Sequence, residues 1–193
     1  MDGLLPFVRA SRLGLGFVVL AACQFAAAQQ ADLAAKSHYA GLFAGRSQLI
    51  LGSEDTRVGG GLYYGYGRPE KRLRFGRMRT QLVFEGYVLR THSGGANGDP
   101  PNDVDALGGL AYAHYRWKSA YLDIGIGLQA SNHVSTDLPS YVNSTPMAGA
   151  GAVVRSGRTD WLLGLRFLHI SNAGTRRKNP GQNELFLTFG IRY

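Results

Sequence analysis

The chain has almost no cysteine, no helical periodicity after its first segment and no long hydrophobic run. Cys23 is the only cysteine in 193 residues, and removal of an N-terminal signal would leave none. Disulfides, thiol catalysis and cysteine-based zinc sites are then excluded. No stretch approaches the about 20 apolar residues that a transmembrane helix needs. The G-x-S-x-G turn of soluble esterases and the H-E-x-x-H helix of metalloproteases are also missing, and we expect neither metal nor cofactor.

Residues 1–28 are predicted to be a secretory signal peptide. Arg9 and Arg12 precede an apolar run over residues 13–22, and a small-residue site follows at 26–28, which is the usual order of such signals. Cleavage after Ala28 is expected. The residues before Cys23 also resemble a lipoprotein cleavage box, so lipidation at Cys23 is an alternative. Either reading exports the protein, with residues 29–193 as one domain.

The chain is basic. Its formal charge is +8, and loss of Arg9, Arg12 and Asp2 with the signal would lower this by one unit. Such a charge suits contact with anionic surfaces. Nucleic acid is not an expected partner, because the protein is exported and its basic residues are scattered without an aromatic reading surface.

After the signal, the sequence alternates apolar and polar residues with a period of two. Strands of about 10 residues, even in number and amphipathic, are typical of an outer-membrane barrel. The sequence therefore predicts an all-β fold, an eight-stranded antiparallel transmembrane β-barrel. The predicted strands are 39–51, 57–66, 77–91, 104–117, 120–130, 147–155, 159–171 and 184–193.

The connections predict an orientation. Those after residues 117 and 155 are tight turns, whereas 93–103, 131–146 and 172–183 are longer and rich in Gly, Pro, Asn and Asp. Short turns of such barrels face the periplasm and long loops face outward. The connection around residues 68–72 is longer than this rule expects.

Strand parity assigns each residue to a face. Leu185, Leu187 and Phe189 are expected to face lipid. In the strand 159–171, Arg166 is unfavourable in hydrocarbon, so the odd-numbered residues face outward. The lumen is expected to be filled, with Glu85, His114 and Asp123 in a polar network.

The segment 169–184 holds a candidate catalytic site. His169 and Ser171 share one strand face, a spacing within side-chain reach, so the histidine can accept the serine proton. Glu184 opens the next strand and is the expected orienting carboxylate. Asn172, Asn179 and the backbone N–H groups of Ala173 and Gly174 are candidates for an oxyanion hole.

Each of these residues also has an ordinary structural explanation. A histidine near a barrel rim is often an interfacial polar residue, and Glu184 alone would be a solvated rim charge. Parity places Glu184 on the lumen side, so its contact with His169 requires a loop margin or a β-bulge. The joint arrangement is what favours catalysis.

At these positions the sequence resembles the PagL family of lipid A 3-O-deacylases. The match comprises His169, Ser171, Asn172, Ala173, Asn179, Gly181 and Glu184. The resemblance implies removal of the ester-linked 3-hydroxyacyl chain at position 3 of lipid A by Ser171 as nucleophile, His169 as base and Glu184 as orienter, without a metal.

Two functions are therefore carried forward. The first is a lipid A deacylase acting on lipopolysaccharide in the outer membrane, with its site toward the outer leaflet. The second is a small barrel without catalysis, for adhesion or envelope stability. The sequence leaves homodimer formation open. A structural barrel has no reason to place a histidine and a serine on a lipid-facing row, which favours the first.

Overall fold

The structure, a computed structural model, describes residues 37–73, 78–95, 100–175 and 180–193. The predicted signal peptide and Cys23 lie outside these ranges. The described residues include no helix long and apolar enough to cross a bilayer. Ten strands are present: β1 Ser37–Ser47, β2 Arg57–Gly67, β3 Lys71–Arg72, β4 Arg79–Ser93, β5 Asn102–Trp117, β6 Ala120–Ser131, β7 Val142–Ser144, β8 Met147–Ser156, β9 Thr159–Ile170 and β10 Gln182–Arg192.

Eight of these strands close into a barrel, as predicted. The sheet runs in the order β2-β1-β10-β9-β8-β6-β5-β4, and β4 pairs back onto β2. Every pairing is antiparallel. Because a closed ring leaves no unpaired edge, all backbone groups along the wall can be satisfied inside a bilayer. The short strands β3 and β7 pair with β4 and β6 beside the ring.

Most strand boundaries differ from the prediction by up to four residues, and those of β1, β9 and β10 lie at the candidate site. β9 ends at Ile170 rather than residue 171. β1 ends at Ser47 rather than residue 51, because Leu51 and Gly52 have φ values of 51° and 90° and reverse the chain. β10 begins at Gln182 rather than residue 184. The residues just before Glu184 therefore belong to the paired wall and not to a loop.

The predicted faces are confirmed. On β6, Leu122, Ile124, Ile126 and Leu128 are 44–63% exposed on the outer wall. On β10, Leu187 and Phe189 face outward while Phe186 is fully buried. Arg166 of β9 points inward, as its charge requires.

The lumen contains the expected polar network. His114 Nδ1 lies 2.6 Å from Asp123 Oδ1. Arg166 donates two hydrogen bonds to the carboxylate of Glu85, at 2.6 and 3.0 Å, and the Tyr112 hydroxyl donates to the same group at 3.1 Å. Charges this deeply buried are tolerated because they are paired and hydrogen-bonded.

The connection between β2 and β4 is longer than a periplasmic turn usually is, and a partly buried carboxylate in it explains why. It carries Glu70, whose carboxylate accepts hydrogen bonds from Arg116 and Arg192 at the barrel end that holds the short turns. Burial raises the pKa of Glu70, but its hydrogen bond with Arg192 and the charges of Arg192 and Arg116 lower it to about 2 overall. Glu70 is thus an anion that forms ion pairs with Arg116 and Arg192 at this end of the barrel.

The buried pair of Arg166 and Glu85 leads to a stability prediction. Arg166→Met should leave the Glu85 carboxylate buried without its partner and destabilise the barrel by about 3–5 kcal/mol. The midpoint of urea unfolding in lipid vesicles measures this change. Arg90→Met is the matched control, because Arg90 forms exposed ion pairs with Asp103 and Asp105 and its loss should leave the unfolding midpoint close to that of the wild type. An Arg166→Met barrel as stable as the control would contradict this account.

Candidate active site

The register between β9 and β10 determines which side chains meet at the site. His169 lies opposite Asn183, and Leu168 lies opposite Glu184. Directly opposed residues of two antiparallel strands point to the same side of the sheet. His169 and Asn183 therefore share the outer side of the wall, whereas Glu184 lies on the inner side with Leu168.

The expected contact between Glu184 and His169 is not formed. Glu184 is fully buried in the lumen, where its Oε1 accepts a hydrogen bond from Gln182 Nε2 at 2.8 Å. Its Oε2 has no hydrogen-bond partner among the described residues. Pairing runs continuously from Gln182 to Arg192, so no bulge turns Glu184 outward. The inward position agrees with strand parity, and neither the loop margin nor the β-bulge that a contact with His169 requires is present.

Asn183 takes the place beside the imidazole. His169 Nδ1 lies 2.7 Å from Asn183 Oδ1. The other end of the same amide, Nδ2, donates to the carbonyl oxygen of Ile50 at 2.6 Å. Because Ile50 presents an acceptor, the amide nitrogen must face it and the amide oxygen must face His169. An amide oxygen can only accept a hydrogen bond, so Nδ1 of His169 carries the proton.

Ser171 is more buried than an outward-facing residue on an uncovered strand would be. It is 6% exposed, because a backbone bridge pairs it with Ser144, the last residue of β7. The two hydroxyl oxygens are 3.3 Å apart, and Ser144 Oγ also donates to the carbonyl oxygen of Ser171 at 3.0 Å. Ser171 thus lies between the end of β9 and the end of β7.

The chain turns sharply directly after Ser171. Ala173 and Gly174 have φ values of 52° and 78°, and the N–H of Thr175 donates to the carbonyl oxygen of Asn172. Two positive φ values in the centre of a turn are the type I′ conformation, which a non-glycine residue adopts only at a cost. The Asn172 Oδ1 accepts from the N–H of Gly174 at 2.9 Å. That N–H is therefore used within the turn.

Gly181 forms the floor under the histidine ring. Its φ is +75°, and a Cβ there would lie 2.8 Å from His169 Cε1 and 3.4 Å from Nε2. Only glycine allows this backbone conformation and this close approach together. The ring is thus held between Asn183 on one side and the backbone of Gly181 on another.

The loop between β1 and β2 supports the site from the side. Its Ile50 carbonyl holds Asn183, and its Gln48 N–H donates to the backbone oxygen of Asn183 at 2.6 Å. The loop is itself anchored by Asp137, a buried residue of the β6–β8 connection. The Asp137 carboxylate accepts from the Ser53 hydroxyl and from the N–H groups of Glu54 and Asp55 at 2.8–3.1 Å.

The sequence profile of a known family matches residues 58–192, which include nearly all of β2, the strands β3 to β10 and the segment from His169 to Glu184. The profile is that of the lipid A 3-O-deacylase PagL. The chain belongs to the PagL family. No curated protein sequence matches it significantly.

The solved structure of a PagL enzyme supports the fold of this chain. The crystal structure of the outer-membrane enzyme PagL aligns with a TM-score of 0.53 and 18% identity, covering 79% of this chain and 97% of that one. The crystal structure of Neisserial surface protein A aligns with a TM-score of 0.46 and 15% identity, covering 81% of this chain and 95% of that one. Fold and family place the protein in the outer membrane as a hydrolase.

Sequence reasoning missed three contributors to this PagL site. Ser144 lies 27 residues from Ser171, and Ile50 lies 133 residues from Asn183, so no local pattern connects either pair. Asn183 did carry a signal, since strand parity places it on the face of His169. The candidate Asn179 and the basic loop 176–178 lie outside the described residues.

The floor formed by Gly181 gives a prediction for activity. Gly181→Ala should lower the hydrolase rate by about 10²-fold on the expectation that His169 is catalytic, because the new methyl group displaces the His169 ring and small misplacements of a catalytic group are that costly. Rates of purified, folded barrels measure the effect. Gly157→Ala is the control, with a similar φ of +61° but nothing within 4 Å of the new Cβ. Equal loss in both variants would mean that backbone strain and not the histidine is responsible.

Proposed function

We propose that this protein is a lipid A 3-O-deacylase that hydrolyses the ester-linked 3-hydroxyacyl chain at position 3 of lipid A. The observation that carries the proposal is His169 on the outer side of β9, with Ser171 two residues further along the chain directly after the strand, in a chain of the PagL family. A nucleophile on the outer wall of a barrel can meet its substrate only if that substrate is itself a lipid.

Ser171 is the proposed nucleophile and His169 its general base. With the proton on Nδ1, the Nε2 lone pair of His169 is the group that accepts a proton from the serine hydroxyl. The two residues are two positions apart in extended backbone, His169 in β9 and Ser171 directly after it, about 6.5–7 Å between backbones. In the proposed first step, a χ1 rotation moves Ser171 Oγ from Ser144 toward Nε2. The oxygen then attacks the ester carbonyl, and the imidazolium returns its proton to the leaving sugar hydroxyl.

The oxyanion of the tetrahedral intermediate needs donors beside Ser171. The turn over residues 172–175 supplies candidates, namely the amide nitrogen of Asn172 and the N–H of Ala173. Gly174, an earlier candidate, is the weaker choice because its N–H already donates to Asn172 Oδ1. The unusual φ of Ala173 redirects the backbone here, a kind of strain that is common at functional sites. Asn179 stays a candidate from the sequence.

The surroundings suit an ester with acyl chains beside it. Leu163 and Leu165 lie outward on β9 below the site, and Leu49, Ile50 and Leu51 are 50–73% exposed on the adjacent loop. The polar row of His169, Ser171 and Asn183 is therefore bordered by apolar side chains. Such a boundary matches the ester region of a lipid, where polar headgroup and hydrocarbon meet.

The proposed orientation puts the site toward the outer leaflet. The site lies at the barrel end that holds the longer connections, opposite the tight turns at Lys118 and Gly157. In outer-membrane barrels the longer loops face the exterior. Lipopolysaccharide occupies that leaflet and is the proposed partner.

The catalytic roles can be tested by substitution at each proposed residue. Ser171→Ala and His169→Asn should each abolish release of 3-hydroxy fatty acid from lipid A by the purified protein. The double variant should be about as inactive as either single one, because residues acting as one unit give losses that do not add. Ser156→Ala, an exposed serine at the opposite barrel end, should retain wild-type activity. Full activity in Ser171→Ala would rule out a serine hydrolase.

The orientation can be tested on intact cells. A cysteine at Thr175 should react with an impermeant maleimide, because this exposed residue lies at the proposed outer end. A cysteine at Ser156 should be protected until the outer membrane is permeabilised. Labelling of position 156 alone would invert the barrel and separate the site from lipopolysaccharide.

A further inference from the structure

We propose that Asn183 positions His169 for catalysis, so that a neutral amide and not the carboxylate of Glu184 orients the base. This inference rests on the proposed function for its kinetic test, but the geometry behind it stands independently. The bond between His169 Nδ1 and Asn183 Oδ1 is 2.7 Å long, and Glu184 lies on the other side of the barrel wall.

The bond selects the tautomer that can act as a base. A neutral imidazole has one protonated and one unprotonated nitrogen, and the partner of the first decides which is which. Asn183 Oδ1 can only accept, so it holds the proton on Nδ1. Nε2 is then the unprotonated nitrogen, on the edge of the ring that lies over Gly181. The opposite tautomer would present a donor to Ser171 and could not take its proton.

The groups around the side chain at position 183 require one hydrogen-bond donor and one acceptor, which an amide supplies. Asn183 is fully buried, and the carbonyl oxygen of Ile50 requires a donor from it, which Nδ2 supplies at 2.6 Å. A carboxylate at this position would satisfy His169 but would place its second oxygen against the Ile50 carbonyl. The two ends of the amide thus match two different neighbours, and together they fix its orientation.

The neighbouring strands offer His169 no carboxylate on the outer side. The outward positions beside it in the described structure are Asn183 and Leu185 on β10, Ala148 on β8 and Pro146 just before β8. The outward charged residue on the next strand is Arg46, opposite Leu185. The imidazolium that forms during the reaction is therefore stabilised by the dipole of Asn183 and not by a full negative charge.

The test uses the purified full-length barrel with Asn183→Ala and Asn183→Asp. Asn183→Ala should lower kcat for lipid A by about 10²-fold, the lower range of a general base contribution, with KM little changed. Asn183→Asp retains an acceptor for Nδ1 and adds a charge that favours the imidazolium. Its rate should lie within about 10-fold of wild type at alkaline pH, and the acidic limb of its kcat/KM profile should move upward by about one pH unit.

A spectroscopic arm separates positioning from a merely structural role. Nitrogen-15 NMR of labelled histidine should show His169 as the Nδ1–H tautomer, with its signal identified by its loss in His169→Asn. In Asn183→Ala the signal should shift to a mixture of tautomers. Asn132→Asp is the matched control, an exposed asparagine bonded to Asp105 at the same barrel end, and should change neither the pH profile nor the tautomer.

Several results would overturn the inference. Wild-type kcat and an unchanged tautomer in Asn183→Ala would do so, as would a tautomer change in Glu184→Ala with none in Asn183→Ala. If wild-type protein releases no fatty acid from lipid A, the proposed function fails. The tautomer measurement then still decides whether Asn183 orients His169, because it needs no substrate.

Discussion

The pairing register between β9 and β10 is the constraint on which the site depends, because a shift of one residue moves every side chain to the opposite face. In the observed register, Phe186, Glu184 and Thr188 fill the lumen and Leu185, Leu187 and Phe189 face lipid. The same register puts Asn183 beside His169. The apolar pattern of a long strand therefore determines which polar side chain meets the proposed catalytic base.

The barrel and its faces could be predicted because the signal repeats along each strand. Alternation over about 10 residues identified β4 to β6 and β8 to β10, and the inward charge of Arg166 fixed which face is which. Where alternation stops, local pattern no longer determines structure. The predicted end of β1 at residue 51 was wrong, because β1 ends at Ser47 and Leu51 and Gly52 form a turn.

The site was predictable in part for the same reason. His169 and Ser171 are two residues apart in extended backbone at the end of β9, and this spacing needs no tertiary information. Parity had already placed Glu184 toward the lumen, but its carboxylate made it the expected partner. The position of Asn183 beside His169 depends on where β10 begins, and the positive φ of Gly181 sets that start. Ser144, Ile50 and Asp137 come from distant connections, and only the closed barrel brings them together.

The central claim is that this wall site removes one acyl chain from lipid A, and mass spectrometry of lipid A from expressing cells tests it most directly. Cells expressing the wild-type protein should contain lipid A that lacks the 3-hydroxyacyl chain at position 3. Cells expressing equal amounts of folded Ser171→Ala should contain unmodified lipid A. Identical lipid A from both, or loss of a chain from another position, would contradict the account.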